Sequence, residues 1–229
     1  MSRRPGGNQR IPRPQKWREG NVPSWHERDL SVLHDAEQVQ QRVLQYVSSL
    51  GAQQTVIAQE WKSASKLSAV LIPLVETHDG PGVVLTRRAD HLRNHKGEIS
   101  FPGGRMEADE LPHETALREA EEEIGLPKDV VTVLGELHPI ATFVRNSHIT
   151  PVVATLSHLP ELQAEPGEVA RIFTVSLHEL ARPDTYRNEW WETPRGDINI
   201  HFFELDDETI WGATGRLLHQ LLDGITSFS

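Results

Sequence analysis

Apolar residues recur with two periods along this chain, and the switches between them mark out the elements. Val39, Val43, Val47 and Leu50 return at helical spacing and Gly51 follows them, so the pattern predicts an amphipathic helix over 35–50 that stops at the glycine. Shorter β-rich runs predict strands at 67–76, 82–87 and 97–101, with Gly80, Pro81 and Gly82 turning the chain between the first two. Between Pro112 and Gly125 the period is again helical: Ala116, Leu117, Ala120 and Ile124 share one side. Pro112 suits a first turn, and Gly125 suits the left-handed residue that ends a helix. Leu111 has no side-chain acceptor, so the preceding loop is expected to cap this helix. Strands follow at 130–137, 148–155 and 169–174, then a short helix at 176–182. Residues 184–192 and 198–205 read as a hairpin around Pro194-Arg195-Gly196-Asp197, and Leu217, Leu218, Leu221 and Leu222 give a closing helix over 212–224. The expected class is α/β with a helix-covered sheet, one domain and no internal repeat.

Composition sharpens that picture. With 229 residues, 37% of them apolar, the chain can bury a substantial core. Its apolar stretch from Ala69 to Val75 is far too short to cross a bilayer, and no signal-type hydrophobic segment opens the sequence. The absence of cysteine removes disulfides, thiolate nucleophiles and Cys-based zinc sites. A cytoplasmic protein is the simplest expectation.

Charge is unevenly spread. Arg3, Arg4, Arg10, Arg13, Lys16 and Arg18 give residues 1–18 a net +6, which leaves −16 on the rest of a chain whose total is −10. An acidic body argues against nucleic-acid backbones as partners, and nothing points to a membrane. Residues 1–25, rich in Pro, Gly and Arg, are expected to be a flexible tail or an arm, with the folded domain over 26–229.

The candidate chemistry lies in the helix after Pro112. Glu119, Glu122 and Glu123 stand at i, i+3 and i+4, the last two within about sixty degrees of Glu119 on either side of it. Carboxylates so crowded, near the negative end of the helix dipole, repel unless a cation lies between them. A hard divalent cation with oxygen ligands would relieve the conflict.

The flanking residues carry a resemblance. Gly104, Glu110, Arg118, Glu119, Ala120, Glu122, Glu123, Gly125 and Leu126 fill every defined position of the Nudix box, G-x5-E-x7-R-E-U-x-E-E-x-G-U with U apolar. The chain thus resembles the Nudix hydrolases, which cleave nucleoside diphosphates linked to a further group. The resemblance implies an α/β/α sandwich with a mixed sheet and a loop-helix-loop box, binding Mg2+ or Mn2+ through Glu119, Glu122 and Glu123. It also implies that Gly104, Glu110, Arg118 and Gly125 shape the loop and helix, and that a carbonyl near Gly103 completes the site.

Immediately upstream, Leu85, Thr86, Arg88, Ala89, Arg93, Gly97, Phe101, Pro102, Gly103 and Gly104 match L-T-x-R-[SA]-x3-R-x3-G-x3-F-P-G-G. That pattern is similar to the one in Nudix enzymes acting as coenzyme A diphosphatases; Val84 replaces the leucine that begins its longer form. Coenzyme A carries a diphosphate and a separate 3′-phosphate, so a binder needs cations beyond the metal. Arg88, Arg93 and His95, with Lys96 nearby, are the candidates. The expected products are 3′,5′-ADP and 4′-phosphopantetheine.

The resemblance leaves the general base open between a box glutamate, Glu119 or Glu122, and a loop acid, Glu165 or Glu168. Glu168 is favoured because an apolar strand-like run follows it at once. His148 reads as structural. Trp190, Trp191 and Trp211 read as core or interface packing, with ligand stacking as the alternative. A homodimer is compatible with the sequence but not fixed by it. Two other readings remain: a Nudix hydrolase of ADP-ribose, a dinucleotide polyphosphate or an NTP, and a non-catalytic nucleotide-binding module.

Overall fold

The computed structural model describes residues 3–61, 66–141, 147–194 and 196–228, with only the backbone over 52–61. In chain order the elements are β1 (Trp17–Glu19), α1 (Ala36–Trp61), β2 (Lys66–Thr77), β3 (Gly80–Arg88), β4 (Ile99–Ser100), β5 (Gly103–Arg105), α2 (Pro112–Ile124), β6 (Val131–Glu136) and β7 (Ile140–Ala141). They continue with β8 (Ser147–Leu156), β9 (Val169–Ser176), α3 (Leu177–Ala181), β10 (Tyr186–Thr193), β11 (Gly196–Glu204), β12 (Thr209–Ile210) and α4 (Gly212–Thr226).

The larger sheet is mixed. β2 lies parallel to β8 and antiparallel to β3 and β5, while β3 also pairs with β4 and β9. β6 and β7 complete it antiparallel to β8. Alternation along β2 explains its unbroken apolar run. Ala69, Leu71 and Val75 join Ala116, Ala120 and Ile124 of α2 on one face. Ile72 and Leu74 join Val39 and Val43 of α1 and Leu217, Leu218 and Leu221 of α4 on the other. A strand covered on both faces reads as continuous hydrophobicity because each face claims every second residue. This is the expected α/β/α arrangement.

Several elements depart from the sequence reading. α1 runs through Gly51 to Trp61: a lone helix-interior glycine costs only about 1 kcal/mol, and no neighbour contests its place. Its start is fixed by Asp35, which accepts from the Gln38 backbone N–H at 3.0 Å. The first hairpin turns at His78–Asp79, and Gly80 already pairs with Thr77, so Gly80-Pro81-Gly82 begins β3. The strand expected at 97–101 shrinks to Ile99–Ser100, and a separate β5 carries Gly103 and Gly104. Before α2, Glu114 reaches back from the first turn and accepts from the Leu111 N–H at 2.8 Å, so the helix contributes to its own cap.

The predicted hairpin, β10–β11, belongs to a second antiparallel sheet in the order β1-β10-β11-β12. Its β1 comes from the basic N-terminal segment. That segment lies on the body as an arm: Arg4 pairs with Glu179 and Asp206, Arg13 with Glu189, and Arg18 with Asp197 at 2.8 Å. The −16 body supplies these carboxylates. Gln9 also donates to the Gly97 carbonyl at 3.2 Å, tying the arm to the loop before β4.

Candidate active site

The acids of α2 face the glycines of β5. The Gly103 N–H donates to Glu123 at 3.1 Å, and the Glu119 carboxylate fills the space that a Cβ on Gly104 would take. At the helix end Gly125 has φ +64, and its N–H caps the Glu121 carbonyl at 3.0 Å.

Arg118 organises the box. Its Nε and Nη2 grip Glu110 at 2.8 and 3.0 Å, and its Nη1 reaches Glu119 at 2.9 Å and Glu122 at 3.2 Å. Glu110 also accepts from the Thr115 hydroxyl and the Glu107 N–H, and with Arg118 as the main cause its carboxyl is held down at about 2. Glu110 and Arg118 therefore brace the loop against the helix. Glu122 is largely exposed.

Burial pushes Glu123 up to about 7; the Gly103 N–H and Arg88 oppose the rise, whereas Glu168 and Glu119 add to it. Burial also raises Glu119, with Glu122 and Glu168 contributing repulsion. Glu119, Glu123 and Glu168 thus crowd one place. The β3–β9 register explains the third: Arg88 lies opposite Val169, and the Ala89 N–H donates to the Glu168 carbonyl at 2.8 Å. Glu165 instead turns its carboxylate toward Gly167.

Oxygen donors in mutual repulsion fit a hard divalent cation. Among the described residues no group of three such side chains is already gathered as a ligand cage. Arg118 holds Glu119 and Glu122, while Gly103 and Arg88 hold Glu123, so cation binding requires Arg118 to share its carboxylates.

A cavity of about 790 Å³ opens between the two sheets beside this turn. Gly103, Gly104 and Arg88 line its near wall, Trp190 and Ile200 its far wall, and Trp211, Thr214 and Arg216 its side along α4. Arg88 Nη1 lies 4.0 Å from Glu123, at the junction of cavity and acids. His95, with φ 56, pairs with Glu98 at 2.9 Å and also lines the cavity. Arg93 does not: the loop turns it outward, where it is exposed. Trp191 packs with Ile200 and Phe202, whereas Trp190 and Trp211 face the cavity. His148 lies in β8 opposite Leu67, its basicity lowered by burial. Arg216 escaped the sequence reading, and Trp211 was read first as packing with ligand stacking as the alternative, because only the packing of α4 across β11 brings them here.

This fold and carboxylate turn define a Nudix pyrophosphatase, and the NUDIX domain family matches residues 65–193. The chain belongs to the Nudix family, enzymes that hydrolyse nucleoside diphosphate derivatives and generally use divalent cations. It is similar to the uncharacterized Nudix hydrolase NudL of Yersinia enterocolitica, at 38% identity over 67% of this chain and 78% of that protein. NudL of Yersinia pestis is 35% identical over 72% of this chain and 83% of its own. Among solved structures, a MutT/nudix family protein from Enterococcus faecalis aligns over 77% of this chain and 70% of its own, with a TM-score of 0.48 and 15% identity. No helix among the described residues is long and apolar enough to cross a membrane.

Proposed function

We propose that this enzyme hydrolyses the diphosphate bond of coenzyme A or its derivatives, giving 3′,5′-ADP and 4′-phosphopantetheine or its acyl form. The carrying observation is the position of Arg88, a residue of the coenzyme A-type signature, at the junction of the acids and the inter-sheet cavity. There a guanidinium can hold a diphosphate oxygen while one half of the substrate enters a largely apolar space. His95 adds a donor on the same wall. Arg93, exposed on its loop, would meet only a part of the substrate that remains outside the cavity.

Glu119, Glu122 and Glu123 would hold Mg2+ or Mn2+, which when bound neutralises diphosphate charge and lowers the pKa of water. Glu168, beside Glu119 and Glu123, takes the proton from the attacking water, with Glu119 and Glu122 as the box alternatives. Gly103 and Arg88 orient Glu123, and Arg118 orients Glu119. These roles suit a small-molecule substrate handled in the cytoplasm and require no partner, although a homodimer is compatible with them.

A substrate panel with either cation tests the reading. Coenzyme A and acyl-CoA should exceed ADP-ribose, diadenosine tetraphosphate and dATP in kcat/KM. A preference for ADP-ribose or dATP overturns it. Binding of these compounds without turnover would assign the chain to the non-catalytic class.

A further inference from the structure

The inter-sheet cavity has donors without acceptors. Arg216, one turn into α4, lines it and makes no ion pair or side-chain hydrogen bond among the described residues. Nearby, the Trp211 indole Nε1 is buried without a hydrogen-bond partner, as is Nε of Arg88. Among the described residues that line the cavity the one carboxylate, Glu98, is met by His95. His201, opposite, stays neutral: burial first, then His219 and Arg216, lower it to about 3, and its Nδ1 meets the Tyr186 hydroxyl at 2.7 Å.

Arg216 keeps part of its surface in solvent while its contact with the cavity wall lowers its basicity, so an anion entering the cavity would find a guanidinium with no protein partner to displace. Arg216 and Trp211 both line the α4 side of the cavity, and the Trp211 indole N–H is without a partner. Thr214 fixes their helix by donating to the Ile99 carbonyl at 2.9 Å. Arg216 stands on α4, whereas the diphosphate candidate Arg88 stands on β3, so the cavity presents two separate anion-binding cations. Trp190 and Trp211 both line the cavity and give it aromatic surface.

We infer that Arg216 determines specificity by binding the 3′-phosphate of a nucleotide half seated in this cavity, with the Trp211 indole as second donor. This deepens the coenzyme A reading and rests on it for the substrate's name. It moves recognition of the 3′-phosphate from the signature loop to a residue outside both motifs.

The test uses the full chain as wild type, Arg216→Met and Arg216→Lys, with thermal melting to show that each folds. Calorimetry measures adenosine 3′,5′-bisphosphate against 5′-AMP, and kinetics compares coenzyme A with dephospho-coenzyme A. Arg216→Met should weaken the bisphosphate about 10–100-fold, the size of one charged hydrogen-bonded contact, and leave 5′-AMP unchanged. KM for coenzyme A should rise with kcat retained, the preference over dephospho-coenzyme A should vanish, and lysine should recover part of it. Equal losses on both nucleotides, or an unchanged bisphosphate affinity, overturn the assignment. If the wild type leaves coenzyme A intact while bisphosphate binding still depends on Arg216, the substrate reading fails and the Arg216 assignment stands.

Discussion

The cations of the N-terminal arm and those of the inter-sheet cavity are treated in opposite ways. Arg4, Arg13 and Arg18 each meet a carboxylate of the body, and Lys16 lies 3.5 Å from Glu192. Arg216 meets none among the described residues, and the Nε of Arg88 is likewise left open. A chain with ten more acids than bases has carboxylates to spare, so the missing partner of Arg216 does not reflect a shortage of acids. Charges that hold the fold together are neutralised from within; charges that face a ligand are left for the ligand to neutralise. The acids in and around α2 show the same contrast with the sign reversed. Glu110 is fully engaged by Arg118, while Glu119, Glu123 and Glu168 repel one another.

The contrast can be broken most forcefully at Glu123. Glu123→Gln should lower turnover by at least about 100-fold, as loss of a major electrostatic contact does. The same variant should melt no lower than wild type at neutral pH without added cation. The sign follows from a folded pKa near 7, above the unfolded value of 4.5: ionising Glu123 then opposes folding, and stability is lost as pH rises between the two. A variant that stays active, or unfolds early, would remove Glu123 from the unneutralised set.

Arg187 tests the structural set. It pairs with Glu189 and Glu204, which are only 2% and 11% exposed at their side chains. Arg187→Met should cost about 3–5 kcal/mol in urea unfolding, because two buried acids lose a shared partner. A loss below 1 kcal/mol would mean that Arg13 alone suffices for Glu189.

His201 supplies the pH lever. Its folded pKa near 3 lies below the unfolded 6.5, so its contribution is complete above 6.5 and is lost as pH falls toward 3. The slope from this one residue is at most about 1.4 kcal/mol per pH unit. His201→Gln should flatten the acid limb of a stability–pH profile; an unchanged limb would place the titration elsewhere. The smallest effect belongs to the exposed Arg18–Asp197 pair, where Arg18→Ala should cost about 0.2–1 kcal/mol and less in high salt.

How much of this was legible in sequence depended on the range of the interaction. α2 could be read position by position, since Gly125, Pro112 and the i, i+3, i+4 acids act within one helix. The two-faced burial of β2 was visible as an apolar run, though not which residue served which face. Glu168 could be favoured only from its neighbours; its approach to Glu123 depends on the β3–β9 register, whose irregularity falls at Arg87 and Arg88. The second sheet was half visible: β10 and β11 declared themselves as a hairpin, while β1 comes from a segment whose Pro, Gly and Arg content argues for disorder. Ion pairing with acids far away in sequence outweighed that local signal. Arg216 had no local signal at all.

The arm has one more consequence. By pairing Trp17 with Trp191 and Glu19 with Glu189, β1 covers the open side of β10, which would otherwise offer bare N–H and C=O groups to any passing strand. The new border is only three residues long, is preceded by Lys16 and carries Arg18 at its centre, both poor invitations to self-association. Residues that add little chemistry thus act as a guard rail against aggregation, and shortened versions of the chain should be judged by their solubility before their activity.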